Sequence, residues 1–260
     1  MRTGSRTANV VVVGLSAILL TGCYIGGDTF KAKFSRTENL TAPLTDITAL
    51  EVTTSVGKIK LEAAEVAEAK IVADIQVKAR DEDKAQELAE QVRIVAESSG
   101  RTLVIKAIKP PDFGRNQLSV DLTITAPTGL ILDCTTNVGD IRVDGFTKRV
   151  DAHTDVGAIT CEGLRDAIDL HANVGDVRAA YASDAPAALS VAIGTNVGAI
   201  EFAGPKDISA KLTAKANVGS IDSDRPLTVS GSLGQSIRAS LGTAEGQVHL
   251  STNVGSIKIR

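Results

Sequence analysis

The stretch Thr136-Asn137-Val138-Gly139-Asp140-Ile141 recurs, with small changes, along the second half of the 260-residue chain. Its close copies carry their glycines at Gly157, Gly175, Gly198, Gly219 and Gly255. A degraded copy around Gly234 fills the one gap, so successive glycines are 18, 18, 23, 21, 15 and 21 residues apart. Self-similarity at this spacing is typical of repeat proteins, in which each copy is one structural unit.

Every second residue before each glycine is apolar, alanine or threonine. In the first copy these residues are Leu132, Cys134, Thr136 and Val138. Strict alternation is the signature of a strand that buries one face. We therefore expect each copy to contain a strand that buries all four of these positions, including the valine directly before the glycine.

After each glycine the apolar positions shift by one residue, as at Ile141 and Val143. Such a shift turns side chains to the other face of a strand unless the chain bends. Glycine permits backbone conformations that other residues avoid, so the glycines are predicted corners. The predicted corners are Gly139, Gly157, Gly175, Gly198, Gly219 and Gly255. A strand, a corner, a second strand and a return turn within 18 residues describe one coil of a parallel β-helix.

Stacking of the coils would bring equivalent residues together, because each repeat contacts its neighbours. One expected result is a buried column of Ile141, Ile159, Val177 and Ile200. A second is a ladder of polar side chains outside the corner, made of Asn137, Asp155, Asn173, Asn196, Asn217 and Asn253. The chain ends at Arg260 directly after a strand, so we also expect an uncapped terminal edge that favours self-association.

Residues 1–22 have the features of an export signal: a basic start and an apolar run of 11 residues, Val10 to Leu20. This run is too short to span a bilayer. It ends in Leu20-Thr21-Gly22-Cys23, which resembles the lipobox of bacterial lipoproteins. The resemblance implies cleavage before Cys23, acylation of Cys23 and a membrane-anchored lipoprotein of the cell envelope. Tyr24, rather than an aspartate, would then favour the outer membrane in a host with two membranes. The alternative is an ordinary signal peptide with a chance cysteine.

Four segments follow from this pattern: a signal peptide at 1–22, a tether at 23–45, an N-terminal part at 46–127 and the β-helix coils at 128–260. The repeat pattern also surrounds Gly57, which predicts one earlier coil. Alternation predicts a strand over 71–79, and Asp81 is a predicted cap for a helix that runs to about Arg93. A hairpin is expected around Ser98-Ser99-Gly100.

Composition narrows the function classes. Removal of the signal would leave 26 basic and 31 acidic residues, which argues against a nucleic-acid partner. Cys134 and Cys161 fall on inward positions of different strands. They are expected to be buried free thiols, with a disulfide as the alternative for an exported protein.

Acidic and histidine side chains share the outward strand positions of neighbouring coils. Asp151, His153, Asp155, Asp169 and His171 form a candidate metal or ligand face, since two imidazoles and a carboxylate suit zinc. A solvated polar face is the alternative. No phosphate-binding loop or Gly-x-Ser-x-Gly motif occurs, and no cofactor is expected.

The Asn-Val-Gly-x-Ile repeats, their lead-in and the lipobox together resemble the bacterial adhesin-type domain of unknown function, which is related to the head-domain β-helix family. The resemblance covers about residues 47–260 and implies a mainly β protein. The implied fold is a single-stranded right-handed parallel β-helix with an N-terminal strand, helix and hairpin as a capping region.

Two function classes follow. The first is a non-catalytic envelope lipoprotein whose outward strand face, from Asp133, Thr135 and Asn137 to His153 and His171, binds a polysaccharide, an envelope protein or another copy. The second is a metal-dependent or carbohydrate-active enzyme that uses the Asp/His face.

Overall fold

The computed structural model describes residues 32–229 and 236–260. The predicted signal peptide, Cys23 and residues 230–235, which include Gly234 of the degraded copy, lie outside the described residues. The rest of the chain is mainly β, as predicted, with strands from β1 to β21 in chain order. In the part of the chain described, no helix is both long and apolar enough to cross a membrane.

The strands are β1 (Ala32–Pro43), β2 (Ala49–Val56), β3 (Ile59–Ala63), β4 (Glu68–Ala79), β5 (Arg93–Ser99), β6 (Thr102–Ile108), β7 (Gln117–Ala126), β8 (Ile131–Val138), β9 (Ile141–Asp144), β10 (Val150–Val156), β11 (Ile159–Leu164), β12 (Ile168–Val174), β13 (Val177–Tyr181), β14 (Ser190–Val197), β15 (Ile200–Ala203), β16 (Ala210–Val218), β17 (Ile221–Ser223), β18 (Thr228–Val229), β19 (Ser236–Leu241), β20 (Gly246–Val254) and β21 (Ile257–Ile259).

The predicted helix and hairpin are both present at the N-terminal end. Helix α1 spans Glu82–Gln91, and the carboxylate of Asp81 caps it by accepting from the Lys84 backbone N–H at 2.9 Å. Strands β5 and β6 form the predicted antiparallel hairpin. A short 3-10 helix, Pro111–Phe113, precedes β7.

The strands form two sheets that face each other across the core. Sheet A has the order β1-β4-β7-β3-β9-β11-β13-β15-β21-β17, and sheet B has the order β18-β19-β16-β20-β14-β12-β10-β8-β2-β6-β5. Each coil gives one strand to sheet B and the next to sheet A, with parallel pairing between coils. This architecture is a β-helix-like solenoid. In it Ile141, Ile159 and Val177 are fully buried and Ile200 is almost so, which confirms the predicted column.

Glycine forms the corner between the two strands of each coil. All six predicted corners and Gly57 have φ between 137° and 153°. The backbone N–H of Gly157 donates to the Val174 carbonyl oxygen of the next coil at 2.9 Å. A Cβ atom on Gly157 would overlap the carbonyl of Gly139, so both the conformation and the stacking distance require glycine here.

Threonine hydroxyls fasten four of the coils to the corner of the coil before them. Thr154 is buried, and its hydroxyl donates to the Gly139 carbonyl oxygen at 3.0 Å. The equivalent bonds come from Thr136, Thr195 and Thr252. A buried hydroxyl needs a partner, and the corner carbonyl supplies one.

The valine directly before each corner is exposed, so the prediction that it is buried was wrong. Val156, for example, is 48% exposed, although Thr154 is buried. The strand leaves the core after Thr154 to enter the glycine corner, and Val174 is equally exposed after Ala172, so this path does not depend on the hydroxyl bond. The next two residues therefore pass over the outside of the corner.

The coils do not follow one another in space as they do in sequence. The last coil, β20 and β21, lies between the coil of β14 and β15 and the coil of β16 and β17. Strand β19 runs antiparallel to β16 at the end of sheet B. The prediction of an uncapped edge at Arg260 is therefore wrong, since β21 pairs with β15 on one side and with β17 on the other.

Residues 32–43, expected to belong to the tether, form edge strand β1 and pair with β4 along their whole length. Two charged residues interrupt the alternation of apolar and polar residues in this strand. Arg36 and Glu38 occupy inward positions and pair at 2.9 Å. Arg36 also donates to the carbonyl oxygens of Ala89 and Val92 at the end of α1, so these charges are satisfied inside the fold.

Both inward cysteines are buried and free, as predicted. Burial raises the pKa of the Cys161 thiol to about 12 and raises the pKa of Cys134 well above its ordinary value. Neither thiol is therefore a reactive thiolate at neutral pH.

Candidate binding surface on the outer face of sheet B

Side-chain amides form a continuous ladder beside the corners. Asn173 Nδ2 donates to Asp155 Oδ1 at 2.7 Å, and Asn196 Nδ2 donates to Asn173 Oδ1 at 3.0 Å. The same bond joins Asn253 to Asn196 at 2.9 Å and Asn217 to Asn253 at 2.8 Å. The predicted ladder is confirmed from Asp155 onward and follows the spatial order of the coils.

Each internal asparagine keeps hydrogen-bonding capacity for a ligand. A side-chain amide has two N–H donors and two acceptor lone pairs, and the ladder uses one of each. Asn196, Asn217 and Asn253 are exposed, so the remaining groups face solvent. The ladder thus presents the same donor and acceptor at each coil, about 4.8 Å apart.

A ridge of valines lies beside the amide ladder. Its members are 40–61% exposed and pair in register from coil to coil. In spatial order this valine ridge consists of Val56, Val138, Val156, Val174, Val197, Val254 and Val218. Six steps of about 4.8 Å make it roughly 29 Å long. Single exposed valines are ordinary, but a contiguous apolar row on a surface is typical of interaction sites.

Four carboxylates stack in direct register further from the corner. Glu51, Asp133, Asp151 and Asp169 occupy equivalent positions on adjacent strands. Arg149 pairs with Asp151 at 2.8 Å. Partial burial, together with the charges of Glu51 and Asp151, raises the pKa of the Asp133 carboxyl.

The two predicted histidines stack between the acidic column and the ladder. The rings of His153 and His171 are parallel within 3°, with centroids 5.5 Å apart. His153 Nε2 lies 3.5 Å from Asp155 Oδ1. On the next strand a Cβ atom at Gly194 would lie 2.9 Å from His171 Nδ1, so the glycine leaves room for the ring.

The predicted metal face comes together only in part. Asp151 is engaged by Arg149, and Asp155 accepts an amide of the ladder. The nitrogen lone pair of an imidazole lies in the plane of its ring, and these two planes are nearly parallel, so His153 and His171 do not direct lone pairs to one point in this arrangement. Across residues 32–229 and 236–260, no group of three or more His, Cys, Asp or Glu side chains is placed to hold a metal ion.

The outer face of sheet A differs because its charges pair with each other. Arg142 contacts Asp144 at 2.8 Å and Glu162 at 2.9 Å. Glu201 contacts Arg178 at 3.1 Å and Arg260 at 2.8 Å. The amides, exposed valines and stacked acids of sheet B therefore make its outer face the candidate binding surface.

A family model described as Toastrack DUF4097 matches residues 24–260. The chain belongs to this family. No curated protein matches it significantly. It is similar to the solved structure of a candidate cell adhesion protein from Clostridium sporogenes, with 16% identity over 86% of this chain and 98% of that one and a TM-score of 0.49. A candidate adhesin from Bacteroides fragilis has 16% identity over 87% of this chain and 97% of its own, with a TM-score of 0.43.

Replacing Asp133 with asparagine is expected to stabilise the protein at neutral pH. The folded-state pKa of Asp133 is raised, so its ionised form destabilises the fold above that pKa, and stability rises as the pH falls through it. The expected gain is about 0.2–1 kcal/mol, as for one like-charged cross-strand pair, and solvent screening favours the lower end.

Thermal unfolding at several pH values would measure this gain. It should shrink as the pH falls toward 4 and vanish below about pH 3, where aspartate is protonated in the folded and unfolded chains alike. Asp207→Asn, at an exposed turn, is the control. A gain that persists at low pH, or an equal gain in the control, would rule out charge repulsion as the cause.

Sequence reasoning missed the valine ridge. The alternation of the repeat predicts that these valines are buried. Only the structure shows that the chain leaves the core before the corner and exposes them. The seven valines do share one sequence offset with the corner glycines, which was the available signal.

Proposed function

We propose that this protein is a non-catalytic, membrane-anchored lipoprotein of the bacterial cell envelope that acts by binding. Its contact surface is the amide ladder together with the valine ridge. The observation that carries this proposal is the regular row of exposed amides, linked from Asp155 to Asn217, beside a continuous apolar ridge.

A linear polysaccharide suits this surface. Sugar rings have apolar faces, which can pack on the valines, and hydroxyl groups, which can donate to and accept from the free sites of the amides. The repeat of about 4.8 Å along the ladder offers many equivalent contacts to a repetitive ligand. An envelope protein or another copy of the chain remains a partner of the same surface, since an apolar ridge also suits protein contacts.

Retention on arrays of envelope polysaccharides would test the binding function. The chain from residue 24 onward should bind at least one polysaccharide saturably and leave it chemically intact. A protein that binds no polysaccharide, envelope protein or second copy, yet turns over a substrate, would contradict the proposal.

The anchor in this proposal is acylated Cys23. The short apolar run that ends in Leu20-Thr21-Gly22-Cys23 supports a mature chain that starts at Cys23. Several acyl chains hold a protein stably on a membrane where one chain is marginal. Tyr24 in the position after the cysteine supports the outer membrane where a host has two membranes.

Mass spectrometry of the protein from the membrane fraction should find acyl mass on a peptide that begins with Cys23. Cys23→Ser should block acylation and cleavage at this site. An unmodified Cys23 in a membrane-bound mature chain would contradict the lipid anchor.

A second candidate function rests on the stacked pair of His153 and His171 beside Asp155 and Asp169. A rotation of one ring would let the pair bind a metal ion and support metal-dependent or carbohydrate-active chemistry. Metal analysis of the purified protein tests it, together with the double variant His153→Ala/His171→Ala. Tight metal that is lost with the histidines, with loss of a measured activity, would favour this function over binding alone.

A further inference from the structure

A cleft opens at the N-terminal end of the stack, where the sheets diverge. Strand β7 pairs with β3 only from Leu122 onward, whereas its earlier residues continue along β4 as far as the pair Gln117 and Lys78. Strands β2 and β6 end nearby, at Val56 and Ile108. The space between these strand ends is a cavity of about 660 Å³. This volume lies in the range of about 300–1,000 Å³ that is usual for small-molecule sites.

The apolar wall of the cleft is held in place by the fold. Phe113 and Val120 line it and are only 4% and 1% exposed. Val56 and Leu118 complete this wall. The side-chain amide of Asn116 donates to the Phe113 carbonyl oxygen at 2.7 Å, which fixes the loop that carries the ring.

The charged groups of the cleft are all positive. Lys78 and Lys109 line it, and its lining contains no carboxylate. Lys33 lies directly opposite Lys78 in the pairing of β1 with β4. None of these three lysines has an ion-pair partner within the described residues, whereas Lys60 pairs with Glu62 at 2.6 Å. Uncompensated lysines beside a low-dielectric wall attract anions.

We propose that this cleft binds a single-chain amphiphilic anion, whose acidic headgroup contacts Lys78 and Lys109 and whose hydrocarbon chain packs on Val56, Phe113 and Leu118. Lysine ammonium groups recognise carboxylates and phosphates as point charges, and burial of the chain against apolar side chains removes it from water. Thr54, Gln76 and Ser119 line the same space and can donate further hydrogen bonds to the headgroup.

This site goes beyond the proposed function and is separable from it. The cleft shares Val56 with the end of the valine ridge, but its lysines lie on β4 and after β6, away from the amide ladder. Lysine variants of the cleft should therefore leave polysaccharide binding unchanged, and ladder variants should leave amphiphile binding unchanged.

Calorimetric titration of the chain from residue 24 onward tests the proposal with four probes. Laurate and dodecyl phosphate carry a chain and a headgroup, dodecanol carries the chain alone, and inorganic phosphate carries the charge alone. One or both amphiphilic anions should bind saturably at one site, and dodecanol and phosphate should each bind at least about tenfold more weakly. The preferred headgroup identifies the ligand as a carboxylate or a phosphate.

The matched variants are Lys78→Gln/Lys109→Gln and Lys70→Gln, the latter on the same strand β4 but outside the cleft. The double variant should bind at least about tenfold more weakly, because it loses two charged contacts, while Lys70→Gln should bind as the natural chain does. Unchanged binding in the double variant, with unchanged thermal stability, would overturn the site. So would the absence of saturable binding by either amphiphile, or phosphate binding as tight as that of dodecyl phosphate.

Discussion

Replacing Gly157 with alanine is expected to destabilise the protein by about 3–5 kcal/mol. Two effects add. The residue has φ of 149°, which a side chain disfavours, and the new Cβ atom would overlap the carbonyl of Gly139 in the preceding coil. The coils can relieve that overlap only by moving apart, which would lengthen the bond from the Gly139 N–H to the Val156 carbonyl oxygen.

Two control glycines separate these effects in chemical denaturation. Gly100 has φ of 65° but open space around its Cβ position, so Gly100→Ala should cost only about 1 kcal/mol of conformational strain. Gly129 has open space and no positive φ, so its alanine variant should be near neutral. Equal losses for Gly157→Ala and Gly100→Ala would show that contact between the corners does not limit the stacking.

Cutting Ile159 to alanine is expected to cost about 2–5 kcal/mol, the usual range for a buried isoleucine that leaves a cavity. Ile159 is fully buried and pairs in register with Ile141 and Val177, so its side chain packs within the central column of the stack. Neighbours on both sides are held by the backbone ladders and cannot easily close the gap.

The matched control for this prediction is Val156→Ala in the same coil. Val156 is 48% exposed on the ridge, so its truncation should cost less than about 1 kcal/mol. Equilibrium unfolding of both variants in urea would measure the difference. A loss at Val156 as large as that at Ile159 would mean that the ridge is buried in solution as well as the column.

The repeat was enough to predict the column and the corners, because these features depend only on the period of the hydrophobic pattern. Ile159 and Gly157 occupy the same offsets in their copy as Ile141 and Gly139 do in theirs. The amide ladder followed from the same reasoning, since Asn173 and Asn196 share an offset.

The exposed valines could not be predicted from the period. Val156 continues the alternation of Thr154, and only the structure shows that the strand leaves the core between them, since Thr154 is buried and Val156 is 48% exposed. Strand β1 was not predicted because charged residues stand at positions where the alternation rule expects apolar ones. Arg36 and Glu38 are charged residues at inward positions, and the carbonyl oxygens at the end of α1 that accept from Arg36 are far away in sequence.

The spatial order of the coils could not be predicted from the sequence pattern either. Thr252 of the last coil makes the same hydroxyl bond to Gly198 that Thr195 makes to Gly175. Equivalent copies can therefore stack on one another in more than one order. What places β20 beside β14 is the reversal of the chain at β19, which follows the coil of β16.

The central claim is that the valine ridge and amide ladder bind an envelope component, and its most direct test is a binding titration on isolated, delipidated cell envelopes. The chain from residue 24 onward would be compared with Val174→Lys/Val197→Lys on the ridge and with Thr160→Lys on the outer face of sheet A. We predict saturable binding that falls at least about tenfold in the ridge variant, because two charges would be desolvated in the contact, and that is unchanged by Thr160→Lys. Full binding by a folded ridge variant, or a loss caused by Thr160→Lys alone, would contradict the claim.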